Sequence, residues 1–410
     1  MAKHSEMIAS KACATSIDFE TALAILASSA SPLDEVKVPL ADAGDCYLRS
    51  PVHARIDAPR FDCAAMDGYA IRDRDLIGGG GTFDQIGVSY AGARDAGEIG
   101  SGQTVRVMTG APLPRGADRV VMIEHCQPSN GAVRIDAPPV GKPHIRRRGS
   151  DFTRDQLLIP AGAKVTPATV IAAAAADHSH LNVSRRPNVR LIATGDEIAA
   201  PGTVTGTRVT IPDSLTAAIE LLCHSAGARL RASTQRPDDP DAIASAGDPA
   251  STDIVVVLGG ASRGDRDHSR AAFASLGLEI AFADVAIKPG KPVWYGKAGT
   301  THILGLPGNP AAALTVARIF LVPLIVQLMG GDVSDALPWR LLPAVRAIEA
   351  NGPREAFLCA ATSYHGVEIG ERQEASGQAR LAGTDALVRR PADAAPVPPG
   401  TLVPTLALCC

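Results

Sequence analysis

Two lysines and two glycine-rich loops are the parts of this chain best suited to bind an anion. Lys288 and Lys291 flank a Pro-Gly turn, and glycine-rich segments follow two apolar runs, at Gly259-Gly260 and at Pro307-Gly308-Asn309. Backbone N–H groups in such loops lack an intramolecular partner and have no side chain in front of them, while lysine adds a point charge. The combination indicates a site for phosphate or another oxyanion.

Carboxylates from distant parts of the sequence are the second feature that indicates chemistry. They are Asp67, Asp151, Glu197, Asp238 and Asp267. Carboxylate oxygens are the ligands of hard cations such as Mg²⁺, which also bridges substrate phosphates. If these acids converge, the chemistry indicated is metal-assisted work on a phosphorylated or nucleotide-bearing substrate.

Each motif also has a purely structural interpretation. Gly259-Gly260 can be an ordinary turn, and Pro289-Gly290 a rigid surface turn. Asp196-Glu197 can cap the N-terminus of a helix, and Asp67 can form a local Asx turn. The three arginines at 146–148 can be solvated or can hold an anion.

Four predicted strands must position these residues. They lie at 188–193, 228–233, 253–258 and 303–306. A near-continuous β-branched run suits a strand covered on both faces of a parallel sheet, and ligands bind beyond the carboxyl ends of such strands. Helices predicted at 214–226, at 268–276 and from Asn309 onward alternate with the strands, the last with a kink at Pro323. This alternation predicts a mostly parallel α/β domain at 186–331.

The rest of the chain divides into three further parts. A helix at 18–30, extended pieces near 36–40 and 51–56, and a helix that starts at Pro167 indicate an N-terminal α+β domain, residues 16–57 and 146–185. A hairpin at Ser129-Asn130-Gly131 belongs to a small β domain inserted at 58–145. Short strands at 341–348, 356–362, 378–381 and 401–408 indicate a C-terminal β domain at 332–410.

Composition disfavours several classes of protein. The length of 410 residues allows about two to four domains, and the net charge of −3 argues against nucleic acid as the main partner. The eight cysteines include no Cys-x-x-Cys pair, and no signal peptide is evident. The longest apolar stretch, 314–329, is too short and too interrupted to cross a bilayer. We therefore expect a cytoplasmic protein that contacts neither nucleic acid nor membrane.

Taken together, seven segments resemble those of one family in order and spacing. The segments are 61–70, 109–118, 148–151, 194–197, 259–264, 288–292 and 306–310. The family is that of the molybdopterin molybdenumtransferases, which includes the E domain of gephyrin. The resemblance extends over about residues 16–408, nearly the whole chain.

This resemblance implies an elongated four-part subunit that forms a homodimer, with its cleft between the α/β domain of one subunit and the N-terminal parts of the other. The implied reaction uses adenylylated molybdopterin and molybdate with Mg²⁺, releases AMP and leaves molybdenum on the dithiolene. Other enzymes of molybdenum cofactor synthesis are candidate partners.

The matched motifs also imply site residues. The catalytic positions are Asp67, Asp151, Glu197, Lys288 and Lys291. The substrate-binding positions are Thr109, Asp238, Gly259, Gly260, Ser262, Asp267, Pro307, Gly308, Asn309, Arg354 and Ser376. The metal is expected on Glu197, Asp238 and Asp267.

The chain departs from the family pattern at several positions. Asp284 stands where a basic residue is usual, and Leu215 replaces an amide. Ala64 replaces a serine, and His268 an aromatic residue. These differences leave open a paralogue that binds molybdopterin or its nucleotide as a carrier or scaffold, without inserting metal. A generic nucleotide-binding α/β enzyme is the third alternative.

Overall fold

The central sheet contains the four strands predicted from the sequence and two more. The computed structural model describes residues 16–76, 80–136, 141–206, 209–247, 251–259, 268–371 and 373–409. The strand order is Arg229–Arg236, Asn188–Thr194, Ile254–Leu258, Thr301–Leu306, Trp294–Ala298 and Leu278–Ala283. The first four strands are parallel, and the last two are antiparallel to their neighbours. The prediction of a mostly parallel α/β domain is confirmed.

The β-branched run of the central strand is explained by burial on both faces. Ile254 and Val256 pack into the large core on one side of the sheet, and Val255 and Val257 into a smaller core on the other. All four are fully buried. Each such side chain contributes about 1.5–3 kcal/mol relative to an exposed position, so the strand holds the two layers of helices onto the sheet.

Helices flank this sheet on both sides. They are Thr216–Ser225, Pro240–Ala246, Ser269–Ala274, Pro310–Val316 and Val322–Leu328. In the helix Thr216–Ser225, Ile219, Leu222 and Cys223 form the buried face, so the apolar residues do recur at helical spacing. It ends before Gly227, whose φ of +91° is a conformation that favours glycine.

The kink predicted at Pro323 takes the form of a wider turn placed before the proline. A π-helical segment, Ala317–Leu321, separates the two helices of this run. Proline lacks an N–H and collides with the carbonyl four residues earlier, and a wide turn removes that conflict. The whole run from Pro310 to Leu328 is long and apolar enough to cross a membrane, yet 89% of its apolar window is buried inside the protein. It therefore serves as a core helix here.

The first helix, Phe19–Ser29, begins as predicted at the cap Asp18, whose Oδ1 accepts a hydrogen bond of 2.8 Å from the N–H of Thr21. Its buried face packs into the large core of the α/β and C-terminal parts. The ring centroid of Phe19 lies 5.5 Å from that of Phe320 and 5.0 Å from that of Phe357. The sequence did not predict this contact between the start of the chain and the C-terminal sheet.

The remaining N-terminal part consists of short antiparallel pairs around the helix Pro167–Ala175, which begins at Pro167 as predicted and is capped by the side chain of Thr166. The pairs are Glu35–Pro39 with His180–Ser184, and Val52–His53 with Leu157–Ile159. Both pairs join residues before the inserted domain to residues after it. The two chain segments therefore build one unit.

The inserted part is a six-stranded sheet. Its order is Arg119–Met122, Gly68–Ile71, Gln103–Val107, Gly81–Ser89, Ala132–Ile135 and Cys126–Ser129. The predicted hairpin is present, with φ of 47° at Asn130 and 81° at Gly131, as a two-residue turn of the I′ type requires. A short pair, Cys63–Ala64 with Ile145–Arg146, closes the insert at its base.

The C-terminal sheet has the order Ile287–Lys288, Glu355–Ser363, Ala386–Arg390, Leu402–Ala407 and Arg340–Pro343, with Gly366–Ile369 beside Glu355–Ser363. The strand predicted at 378–381 is wrong, because Ala379–Gly383 forms a 3-10 helix. This segment has no β-branched or aromatic residue to favour a strand, and Leu381 N–H donates to the carbonyl of Gln378 at 2.9 Å.

A buried histidine predicts a pH-dependent stability. His302 Nδ1 lies 2.7 Å from the Tyr295 hydroxyl, and burial, with a smaller contribution from Lys297, lowers the pKa of His302 from 6.5 to about 4. His302 is therefore protonated below about pH 6.5 in the unfolded chain but only below about pH 4 in the folded chain. We expect this group to lower the free energy of unfolding by about 2 kcal/mol between pH 7 and pH 5.

Urea unfolding at both pH values measures this effect. His302→Gln should lose that part of the pH dependence, whereas His365→Gln, at an exposed histidine, should keep it. An unchanged pH dependence in His302→Gln would contradict the assignment.

Candidate functional site

Four strand ends meet at one edge of the central sheet, and the predicted ligand loops leave from this edge. The strand register pairs Thr194 with Arg236, and Leu258 with both Ala193 and Leu306. Because these strands are parallel, the residues that follow them emerge side by side. Those residues include Glu197, Asp238, Gly259, Pro307, Gly308 and Asn309. The structure thus brings these predicted positions to one crevice.

Gly259 is the point of closest backbone approach between the loops. Its φ is +96°, its N–H donates to Leu306 O at 3.2 Å, and a Cβ there would lie 2.9 Å from Thr194 O. A Cβ on Gly308 would lie only 3.6 Å from the Cα of Gly259. Three loops therefore pack backbone against backbone, which keeps side chains out of this part of the crevice.

Several predicted positions fall outside the residues that the structure describes. They are Gly260, Ser262 and Asp267. Their roles stay predictions.

Glu197 does not cap a helix, so that alternative is wrong. It lies in an exposed turn that leads into Ile198–Ala199, which pairs with Ile211–Pro212. The acid that contacts the start of the next helix, Thr216–Ser225, is Asp213, whose Oδ1 accepts hydrogen bonds of 3.0 Å from Leu215 N and from Thr216 N. The carboxylate of Glu197 is left at the crevice.

The acids at this edge suit a divalent cation that is shared with a substrate. Asp238 N–H donates to Asp196 Oδ1 at 3.4 Å, so the turns that carry Glu197 and Asp238 touch. Among the residues that the structure describes, no three His, Cys, Asp or Glu side chains are grouped closely enough to hold a metal ion. One or two carboxylates completed by substrate phosphates and water are a common arrangement for Mg²⁺.

The predicted lysines lie where the α/β part meets the C-terminal sheet. Ile287–Lys288 pairs in parallel with Glu355 and Ala356, and Arg354 Nη1 donates to Ile287 O at 3.4 Å. Lys288, Lys291 and Arg354 are all exposed. Ile287 and Arg354 are 67 residues apart in the sequence. The pairing therefore brings Lys288 close to Arg354 in space.

The second C-terminal position reaches the edge through the next loop. Ala311 N–H, in the first turn of the helix after Asn309, donates to Ala375 O at 3.1 Å. Ser376, the following residue, is exposed. The hydrogen bond therefore places Ser376 close to the Pro307-Gly308-Asn309 loop.

Asp67 and Thr109 form a separate pair in the inserted domain. Asp67 Oδ1 accepts hydrogen bonds from Thr109 N at 2.7 Å and from Thr109 Oγ1 at 2.8 Å, which lower the pKa of Asp67. The Asx-turn alternative does not account for Asp67, because its partner is 42 residues away. Both residues are exposed.

Asp151 lies at the base of the inserted domain, with its N–H donating to Ala58 O at 2.9 Å and its side chain exposed. The neighbouring arginines are already paired, Arg147 with Asp62 and Arg148 with Asp57, each at 2.5 Å. This pairing disfavours the interpretation of these two arginines as an anion site.

The departures from the family pattern occupy structural positions. Asp284 is 5% exposed, has φ +60° and is fixed by hydrogen bonds of its backbone to Val293 and Ile17. Leu215 is 9% exposed and belongs to the large core, and Ala64 is fully buried. Leu215 therefore packs inward rather than toward the crevice.

Thr194 lies in the segment 194–197 that resembles the family but was not among the predicted site residues, although it contacts the end of the neighbouring strand at this edge. Its Oγ1 donates to Leu258 O at 3.3 Å, and its carbonyl meets Gly259. A threonine that ends a buried strand immediately before a glycine was the available signal.

The fold and the site together define a multidomain α/β protein that gathers cations, acids and glycine loops at the carboxyl edge of its central sheet. Residues 17–176 match the N-terminal region of MoeA, domains I and II, and residues 190–327 match a probable molybdopterin-binding domain.

Relatives and solved structures agree with these matches. The molybdopterin molybdenumtransferase of Synechococcus elongatus is 32% identical over 306 residues, which cover 72% of this chain and 76% of the relative. That of Haemophilus influenzae is 32% identical over 294 residues, 71% of this chain and 72% of the relative. The molybdopterin biosynthesis MoeA protein of Pyrococcus horikoshii has the same fold, with a TM-score of 0.83 at 22% identity over 96% of this chain and 100% of that one. The chain belongs to the molybdopterin molybdenumtransferase family.

Proposed function

We propose that the chain inserts molybdenum into molybdopterin during cofactor synthesis, using adenylylated molybdopterin and molybdate and releasing AMP. The observation that carries this proposal is that the segment between Ala283 and Trp294, which contains Lys288 and Lys291, leaves the central sheet at the same edge as the glycine loops. Arg354 joins this segment through its hydrogen bond to Ile287 O. Cations suit the molybdate dianion, and backbone N–H groups suit the phosphates of the nucleotide.

The roles of the residues follow from their chemistry. The loops at Gly259 and Pro307-Gly308-Asn309 bind phosphate, and Ser376 adds a hydroxyl donor beside them. The lysines and Arg354 orient molybdate and neutralise its charge, which also opposes charge that develops in the transition state. Glu197, Asp238 and Asp267 would hold Mg²⁺, which would neutralise charge on the phosphates.

Asp67, Thr109 and Asp151 act on the substrate from a second subunit in this proposal. Their contacts are within the inserted domain and its base, and all three are exposed. A homodimer would place them opposite the central sheet of the other chain. The same proposal assigns the protein to the cytoplasm, where it exchanges the pterin with other cofactor-synthesis enzymes.

The second candidate is a paralogue that binds the pterin nucleotide without inserting metal. Asp284 favours it, because an acid replaces the usual cation four residues before Lys288. A buried acid near an anion site opposes binding of molybdate, by about 1–4 kcal/mol for close charges in a partly hydrated cleft.

Release of AMP separates the two functions. We expect purified protein with adenylylated molybdopterin and Mg²⁺ to release AMP only when molybdate is added. Pterin binding with no AMP release would establish the binding paralogue. Tight binding of ordinary nucleotides without preference for the pterin would instead support a generic nucleotide enzyme.

A further inference from the structure

A cavity of about 420 Å³ opens on the C-terminal sheet, and Lys288 is at one of its walls. Arg390 and Asn351 line it as well, with Arg346 and the acids Glu349 and Glu371 among the remaining residues. None of these residues except Lys288 belongs to the site proposed above.

The sheet register places Lys288 and Arg390 on the same face. Lys288 is opposite Ala356 on the next strand, and Ala356 is opposite Arg390 on the strand after that. Residues directly opposite each other point to the same side of a sheet, and two strand spacings amount to about 10 Å. The two long cations therefore flank a small alanine, which leaves space between them.

Arg390 is a buried cation. It is 6% exposed, and one of its terminal nitrogens donates to Ala395 O. Its Nε has no hydrogen-bond partner among the residues that the structure describes. Within the described part of the chain no carboxylate forms an ion pair with it. The neighbouring Arg389, on the opposite face, is paired with both Glu355 and Glu20. A buried guanidinium without an acid is unfavourable until an anion joins it.

The acids of the cavity lie at its rim rather than beside Arg390. Glu371 and Glu349 are exposed, and Glu371 lies 3.9 Å from Arg346 Nη1. Arg346 Nε also contacts Glu368 at 2.8 Å. Among these charged groups, the rim holds one cation, Arg346, against the carboxylates of Glu349, Glu368 and Glu371, so its net charge is negative. The positive charge of the cavity comes from Arg390 and Lys288.

We propose that this cavity binds a tetrahedral oxyanion between Arg390 and Lys288, as a second anion position behind the lysine of the transfer site. The chemistry suits either free molybdate or a phosphate group of the nucleotide. We assign it to free molybdate, which rests on the proposed function, because the cavity shares Lys288 with the cations proposed to orient molybdate. Arg390 then raises the local concentration of molybdate for the transfer.

Calorimetric titration of the purified chain with molybdate alone tests this proposal. We expect Arg390→Met to weaken molybdate binding at least about tenfold, since it removes a charge-assisted contact. The molybdate affinity of Arg390→Lys should lie between that of the wild-type protein and that of Arg390→Met. Arg346→Met is the matched control, because it removes an arginine of the same cavity that acids already neutralise, and it should change the affinity less than about twofold.

Parallel titrations with AMP and with inorganic phosphate distinguish the source of the anion. If Arg390→Met loses affinity for AMP but not for molybdate, the position belongs to the nucleotide and the molybdate assignment is overturned. Unchanged molybdate binding in a folded Arg390→Met, or an equal loss in Arg346→Met, also overturns it. Because no pterin is present, this outcome is independent of whether the wild-type protein releases AMP.

Discussion

Replacing Lys288 by alanine is expected to reduce molybdate-dependent AMP release by about 10²–10³-fold. Lys288 is exposed at the junction of the central and C-terminal sheets and is fixed there by backbone pairing with Ala356. Because the backbone at Lys288 is already ordered by this pairing, binding of the anion requires no further loss of backbone conformational entropy there. The loss should appear mainly in kcat, since a fixed cation acts most strongly on charge that develops in the transition state.

Two further variants make the Lys288 result specific. Lys288→Arg keeps the charge but changes its shape, and should recover part of the rate. Lys37→Ala removes an exposed lysine from the N-terminal pair Glu35–Pro39 and should leave AMP release unchanged. If Lys288→Ala retains the wild-type rate, Lys288 does not hold the oxyanion, and the proposed role of Arg354 beside it fails as well.

The central sheet could be predicted because its signals are local. The run Ile254–Leu258 has no polar residue, which requires cover on both faces, and the glycines that follow it mark where the strand must end. Parallel strands that alternate with helices then place their carboxyl ends together. Glu197 and Gly259 could thus be assigned to one edge from the residues alone.

The C-terminal half of the site could not be derived in this way. Ile287–Lys288 is a strand of two residues, too short to produce any periodic pattern, and its partner lies at Glu355 and Ala356. Pairing between such distant segments depends on the whole fold and produces no recognisable pattern in the local sequence. The positions of Arg354 and Ser376 were reached only through the resemblance to the family.

The contacts of the inserted domain show the same limit. Asp67 and Thr109 are 42 residues apart in the sequence and are joined by two hydrogen bonds that no regular sequence spacing predicts. The helix Phe19–Ser29 was predicted correctly as a helix, but its place in the core beside Phe320 and Phe357 was not. An apolar helix face shows that something covers it without showing what.

Gly290→Ala is expected to damage both the stability and the activity of the protein. Gly290 is buried in the turn between the two lysines, with φ +107°, and a Cβ there would lie 2.3 Å from Val316 Cγ2. Val316 belongs to the core helix Pro310–Val316, which cannot withdraw without opening the large core. Backbone strain and overpacking together should lower the free energy of unfolding by about 2–5 kcal/mol.

The effect on activity follows because the same turn sets the distance between Lys288 and Lys291. Val293 N–H donates to Gly290 O at 3.1 Å, and Val285 N–H donates to Lys291 O at 2.9 Å, so a shift of Gly290 moves the backbone of both lysines. A displacement of about 1 Å in a positioning group can cost about 10²-fold in rate.

Gly299→Ala is the matched control, because Gly299 also has positive φ, at +60°, but a Cβ there meets nothing within 4 Å. It should lose only about 1–2 kcal/mol of stability and no activity. Urea unfolding and AMP release measure both effects, and equal losses in the two variants would show that positive φ alone, and not the collision with Val316, limits this turn.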